Sequence, residues 1–362
     1  MEDTGKISLN QLMVLLCLSR MFTVMTHTSQ GPVLLAGGVS VVSTLLSGVL
    51  QAAMLTLGIR LSKSPSGVSP MILGERGGKA TYRALGVCYW LLAMAVCLYT
   101  AVSFTYFIVS NFYDFAYWWA VVLVLTLSAG LALRQGLEAL SRSAVVMAAL
   151  LLVLLAIAVV GLLDQITWLN LSYPSLTPAQ EGLAVYRGFA MNFELAAFLL
   201  LLPWVRDYKA PAGRRWILWT TVLSVVIQVI LELSAGRYVQ GKRFPVFSLV
   251  TTTRFVVLSR LDSMFMGIWV ILGFYKLAVF LQVAVSLFAA MGYRPVRHRD
   301  IWLHAGLIAA LSLLALGISG LGSALYAAVG AGVLTAVGVV VLPLVGWILT
   351  RKEGKGGGGQ KS

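Results

Sequence analysis

AVVMAALLLVLLAIAVVGLL, residues Ala144–Leu163, runs for twenty positions without an Asp, Glu, Lys or Arg. A helix needs roughly 20 mostly apolar residues to cross a bilayer, and this stretch meets that length. Hydrocarbon offers no hydrogen-bonding partners, so a crossing segment satisfies its backbone as a helix or in a closed barrel. Barrel strands alternate polar and apolar positions, and this run does not alternate. It reads as a transmembrane helix. Val33–Ile59, Leu85–Val109 and Ala324–Leu349 are equally free of charge. The 362-residue chain is 59% hydrophobic and only 11% charged, with mean hydropathy +0.89. That composition leaves too little polar surface for a water-soluble globule of this size. The fold class is therefore an all-α integral membrane protein.

Working outward, apolar runs predict about ten transmembrane helices, at 8–28, 33–59, 85–110, 115–133, 144–163, 183–204, 216–234, 262–291, 301–318 and 324–349. Cytoplasmic loops carry an excess of Lys and Arg. With the N-terminus inside, the cytoplasmic segments hold 19 of the 27 basic residues, which places both termini in the cytoplasm. The net charge of +14 is thereby read as a topology signal between apolar runs rather than as a nucleic-acid surface. The first apolar stretch lacks a basic flank and a small-residue cleavage site, so it is expected to remain as the first helix. The connection Ala235–Arg260 is too polar for a span, yet it contains Phe244, Val246, Phe247, Leu249 and Val250, the pattern of a lid or interfacial helix. An even span count with both ends inside suits a five-plus-five inverted repeat, whose first and sixth helices are broken at the midplane. The expected organisation is one transmembrane domain, residues 1–350. Its repeats are about 8–163 and 183–349, followed by a disordered cytoplasmic tail, 351–362.

Ionisable groups at bilayer depth cost at least about 2.5 kcal/mol each on insertion scales, so their presence calls for pairing, solvation or function. Arg20, Glu194, Glu232 and Lys276 stand out. Arg20 precedes a hydroxyl-rich stretch, Thr23, Thr26, Thr28 and Ser29. Hydroxyls beside a helix break are suited to holding the charged ends of a zwitterion. In the sixth span, Gly188, Asn192, Phe193 and Glu194 precede the apolar run Leu195–Leu202 and Pro203, a pattern of locally irregular backbone. Two readings of Glu194 stay open, a seat for a ligand ammonium or an ion-pair partner of Lys276 or Arg20. Lys276 lies too far from either end of its span to reach water. A fixed cation there can stand in for a sodium ion. Glu232 reads as a hydrated helix end. Trp269, Tyr275 and Phe193 are deep enough to wall a pocket, whereas Tyr117, Trp118, Trp119, Trp204, Trp216 and Trp219 suit interfacial belts. The candidate ligand-binding residues are Thr23, Thr26, Asn192, Phe193, Glu194, Trp269 and Lys276.

Glycine phosphate loops, nucleophile elbows, zinc-binding HExxH motifs and dinucleotide fingerprints are all missing from the sequence, which argues against an enzyme. Cys17, Cys88 and Cys97 fall in apolar stretches without disulfide or metal spacing, and His27, His298 and His304 show no ligand spacing either. Neither a cofactor nor a metal is expected. A carrier, a channel-like subunit or a ligand-sensing membrane subunit remain.

Particular residues then point to a family. Ile7, Ser8 and Gln11 open the first helix; Phe244, Pro245, Val246, Phe247 and Ser248 form a proline-containing outer segment. Ser259, Arg260, Leu261, Asp262 and Ser263 lead into the eighth helix, with Trp269 seven residues after Asp262 and then Lys276. Together with Phe193, Glu194 and Pro203, this pattern resembles the spore germination permeases, B subunits of nutrient-germinant receptors in the amino acid, polyamine and organocation transporter superfamily. The chain departs from it at Ser19, Arg20, Met21, Phe22 and Thr23, where relatives have a glycine, and at Ser259, where they have an acid. The resemblance implies a receptor subunit in the bacterial spore inner membrane. It would bind a small nutrient, an L-amino acid, and signal germination through A and lipoprotein C subunits. A proton-coupled amino-acid permease of the same fold, and a scaffold without a ligand site, are the competing readings.

Overall fold

A computed structural model describes residues 6–27, 41–64, 67–112, 117–171, 177–206, 208, 212–235, 244–252, 261–318 and 331–356. Among these the chain is overwhelmingly helical. The helices are α1 (Leu9–His27), α2 (Val41–Leu61), α3 (Pro70–Arg76), α4 (Gly78–Phe112), α5 (Trp118–Arg134), α6 (Gly136–Leu162) and α7 (Pro178–Ala190). They continue with α8 (Glu194–Leu201), α9 (Ala212–Ala235), α10 (Pro245–Thr252), α11 (Leu261–Met291), α12 (His298–Gly317), α13 (Ala331–Ala336) and α14 (Leu342–Gly356), the last two joined by a π-helical stretch, Val337–Val341. Among the described residues, eight helices are long and apolar enough to cross a membrane, and two shorter apolar helices, Trp118–Arg134 and Leu334–Leu349, occupy the places of the fourth and tenth predicted spans.

Ser8 and Gln11 start α1 by local chemistry. The Ser8 N–H donates to Gln11 Oε1 at 2.8 Å and the Gln11 N–H donates to Ser8 Oγ at 3.2 Å. This reciprocal capping box satisfies two backbone donors that the first turn leaves unpaired. Just before it, β1 (Ile7–Ser8) pairs in parallel with β4 (Val205–Arg206), which follows α8. The start of the first span and the end of the sixth thus lie on one face of the bundle, as six successive crossings require. A two-residue antiparallel pair, β2 (Lys63–Ser64) with β3 (Gly67–Val68), closes the turn after α2.

Helix α11 sits at the centre, against α4, α1 and α5. In its span 78% of the apolar window is buried, against 12% for the span containing α6. Hydropathy runs the other way, higher for the α6 span, because lipid covers an apolar helix as well as protein does. The exposed faces of α6, with Val146, Val153 and Val160, form part of that lipid-facing surface. At the opposite end of α11, both guanidinium arms of Arg294 donate to the Asp300 carboxylate (2.6 and 2.9 Å), which also accepts the Arg297 N–H and so starts α12. The Trp90 indole N–H donates to His304 Nε2 at 2.9 Å, joining α4 to α12.

Two expectations change. First, α1 is unbroken over Leu9–His27. That segment has no glycine or proline to release the helical ladder, and the Thr26 hydroxyl returns to Phe22 O at 2.6 Å within the regular turn. Thr28, Ser29, Gly31 and Pro32 lie outside the described residues. Second, α14 continues to Gly356, so 351–356, predicted as part of a disordered tail, are helical, since no proline follows Pro343 to stop the helix; 357–362 lie outside the described residues. Of the predicted lid, the described part is Phe244 and α10, whose Val246, Leu249 and Val250 are buried, with the Phe244 ring 4.7 Å from that of Phe107. Ser259 and Arg260 lie outside the described residues.

Close packing at Gly58 can be tested directly. A β-carbon there would stand 2.6 Å from the Val339 backbone oxygen in the π-helical stretch and 3.0 Å from Leu199 Cδ1. Backbone cannot swing aside as a side chain can, so Gly58→Ala should destabilise by about 1–3 kcal/mol. Gly306→Ala, at a position with no heavy atom near the added carbon, should be neutral or slightly stabilising. Melting curves of the two variants in detergent would check this; equal behaviour would show that α2 does not close on the last span as described.

Candidate functional site

The sixth span is broken. Helix α7 ends at Ala190, α8 begins at Glu194, and Met191, Asn192 and Phe193 lie between them. Gly188 lets α2 approach, since a β-carbon on it would stand 2.5 Å from Ser47 Oγ. A break deep in a membrane frees carbonyls that water cannot reach, and each must find a donor. Every carbonyl from Arg187 to Phe193 has one. Within the segment, Arg187 O, Phe189 O, Asn192 O and Phe193 O accept backbone N–H groups at 3.0–3.4 Å. Gly188 O accepts Arg20 Nη2 at 3.0 Å and Gln51 Nε2 at 3.1 Å. Ala190 O accepts the Thr335 hydroxyl at 2.6 Å, and Met191 O accepts Arg20 Nη1 at 2.6 Å.

Arg20 is therefore a cap. Its guanidinium sits at the C-terminal, electronegative end of α7, where a cation is favoured. Glu194 occupies the complementary position, the first turn of α8, where the helix favours an anion. Its Oε1 accepts Lys276 Nζ at 2.5 Å and the Ser19 hydroxyl at 2.6 Å. Lys276 Nζ also donates to Thr23 Oγ1 at 2.9 Å and lies 5.5 Å from the ring centroids of Phe193 and Phe280. Both side chains of the Glu194–Lys276 pair are 0% exposed. Asn192 Nδ2 donates to Gln51 Oε1 at 2.7 Å. Two acceptors are left over: Glu194 Oε2 and Asn192 Oδ1 are buried with no hydrogen-bond partner among the described residues.

Thr23, Asn192, Phe193, Glu194 and Lys276 thus form one cluster around the break. Thr26 and Trp269 make a second contact one turn along α1, with the indole N–H donating to Thr26 Oγ1 at 2.9 Å. Trp269 is stacked on Phe107 and Phe104, with centroids 3.7 and 5.0 Å away, so it carries much of the local aromatic packing. Tyr275 is instead turned towards α6, donating to Ser143 Oγ at 2.9 Å. Glu232 lies apart, accepting Gln228 Nε2 at 2.9 Å. Sequence reasoning missed Ser19, Gln51 and Thr335 as members. Their signal was present in Gln51, a lone amide within the charge-free run Val33–Ile59. Serine and threonine in apolar helices gave none, because they usually bond their own preceding turn.

A bundle of membrane-crossing helices, with buried charges gathered where one span breaks, defines an integral membrane protein with a polar site inside the bilayer. Residues 6–291 match the model of the spore permease family, described as spore germination proteins, and the chain belongs to that family. No curated protein sequence matches the chain.

Proposed function

We propose that this protein is the membrane subunit of a spore germinant receptor that binds a small nutrient, an L-amino acid, at the break in the sixth span. Thr23, Thr26, Asn192, Phe193, Glu194, Trp269 and Lys276 form the site. The observation that carries this reading is the unfinished hydrogen bonding there. Glu194 Oε2 and Asn192 Oδ1 await donors, and buried acceptors left unpaired cost about 1–3 kcal/mol each. On the donor side, a guanidinium carries five N–H groups and an ammonium three. The bonds described for Arg20 and Lys276 use only two on each. A small ligand with both donors and acceptors completes the set.

Signalling requires a ligand to favour one state of the bundle over another. The break is suited to this, because Arg20, Gln51 and Thr335 tie it to three other spans. Both termini face the cytoplasm, the membrane is the spore inner membrane, and A and C subunits receive the signal. The spans follow a five-plus-five repeat. A carboxylate at bilayer depth is also what a proton relay uses, so Glu194 supports a second reading, a proton-coupled amino-acid permease.

Thermal melts of the purified protein against the common L-amino acids should show one or more concentration-dependent upward shifts. At a ligand concentration 100 times Kd the stabilisation is about 2.7 kcal/mol, well within reach of the measurement. The shift should weaken in Asn192→Leu, which removes an unpaired acceptor from the break. Uptake of the same amino acid into vesicles only under a proton gradient would favour the permease; no shift with any amino acid would sink both readings.

A further inference from the structure

Among the described residues, two cations and one carboxylate are buried at the break, Arg20, Lys276 and Glu194, which leaves one positive charge uncompensated there. Asp300, the other buried carboxylate among the described residues, is engaged by Arg294 and Arg297. A buried charge without a partner is costly in low dielectric. The dipoles of the two half-helices do not remove it, because the electronegative end of α7 and the electropositive end of α8 oppose each other. The carbonyls freed by the break, where an ammonium would otherwise be held, already have donors, and Arg20 supplies two of those bonds.

From this charge count and this hydrogen-bond accounting we infer that the site selects its ligand by a carboxylate and is indifferent to an α-ammonium, because the protein's own Arg20 occupies the ammonium's place. The inference rests on the reading of the break as the ligand site. A carboxylate entering beside Arg20 and Lys276 brings the buried charge to zero and accepts from their remaining N–H groups. Glu194 Oε2 and Asn192 Oδ1 need donors but not charge, and a hydroxyl, an amide or a water serves them as well as an ammonium. A cationic ligand raises the buried charge further.

The test uses matched trios on the full-length protein in detergent: L-alanine, propanoate and L-alanine methyl ester; L-leucine, 4-methylpentanoate and L-leucine methyl ester; L-phenylalanine, 3-phenylpropanoate and L-phenylalanine methyl ester. Calorimetry or thermal shift gives each affinity. In any trio that binds, the amine-free acid should fall within about threefold of the amino acid, and the ester should be weaker by about tenfold or more. Arg20→Met, which frees the Met191 carbonyl and removes the excess charge, should make the amino acid the better ligand by about tenfold. The comparison on the unaltered protein stands even where that variant does not fold. Binding by an amino acid and its ester but not by the amine-free acid overturns this inference and leaves the proposed ligand site standing. Silence from all three trios overturns the inference together with that site.

Discussion

Glu194→Gln destabilises the protein by about 3–5 kcal/mol, the cost of leaving buried charges without their partner. The substitution keeps the size and most hydrogen-bonding capacity of the side chain, so the loss is electrostatic. It takes the buried cluster from one uncompensated positive charge to two, with Lys276 and Arg20 facing each other across a neutral amide. Lys276→Met acts in the opposite sense: Arg20 and Glu194 then balance, and the methionine thioether fits an apolar setting beside Phe193 and Phe280. Its cost is the lost donor to Glu194 Oε1, which keeps the Ser19 hydroxyl, and to the Thr23 hydroxyl, about 1–3 kcal/mol. Treating the pair as symmetric would miss this order. The double variant should be more stable than Glu194→Gln alone, because the two residues interact directly and their effects are not additive. Chemical denaturation in mixed micelles gives all three values. Lys276→Met proving the worse single change would show that the cluster carries no excess positive charge.

Arg20→Met gives the second large effect, about 2–4 kcal/mol, from charge-assisted hydrogen bonds worth about 1.5–3 kcal/mol each. Gly188 O retains Gln51 as a donor, but Met191 O loses its partner in a place water does not reach. Relief of the excess charge offsets part of the loss, which keeps the figure below a simple sum. Arg20→Lys preserves the charge and one donor direction without the planar fork, so it should fall between Arg20→Met and the unaltered protein. Hydrogen exchange across residues 188–194 is the sharper readout: Arg20→Met should raise it there and leave α12 unchanged. Unaltered exchange at the break would mean that Arg20 does not cap it.

The sixth-span break was legible because its irregular residues cluster within two turns. Gly188, Asn192 and Glu194 interrupt an otherwise apolar run, and in a membrane such an interruption has few causes. The role of Arg20 was not legible from its position. A mid-span cation beside threonines reads as half of a ligand seat, and only the tertiary structure shows that two of its donors go to carbonyls of the sixth span. Thr26 and Trp269 are in contact, but Trp269 also stacks on Phe107 and Phe104, so its contribution is largely packing. The expected break in α1 failed for the same kind of reason. Hydroxyls near an arginine suggest irregular backbone, but a threonine can close back onto its own turn and leave the helix intact, as Thr26 does.

By itself the amino-acid sequence determined the solvent, the helical class, the approximate spans and the presence of charges that lipid could not tolerate alone. These follow from local quantities, run length and the cost of each residue in hydrocarbon, which do not depend on what the chain touches. Tertiary structure decided which charges pair, which carbonyls Arg20, Gln51 and Thr335 satisfy, and that one positive charge is left over at the break. Hydrogen bonds between Thr335 and Ala190, or Gln51 and Gly188, join residues far apart in sequence. Their partners are set by how the helices stack, and a low dielectric makes that choice matter by several kcal/mol for each ion.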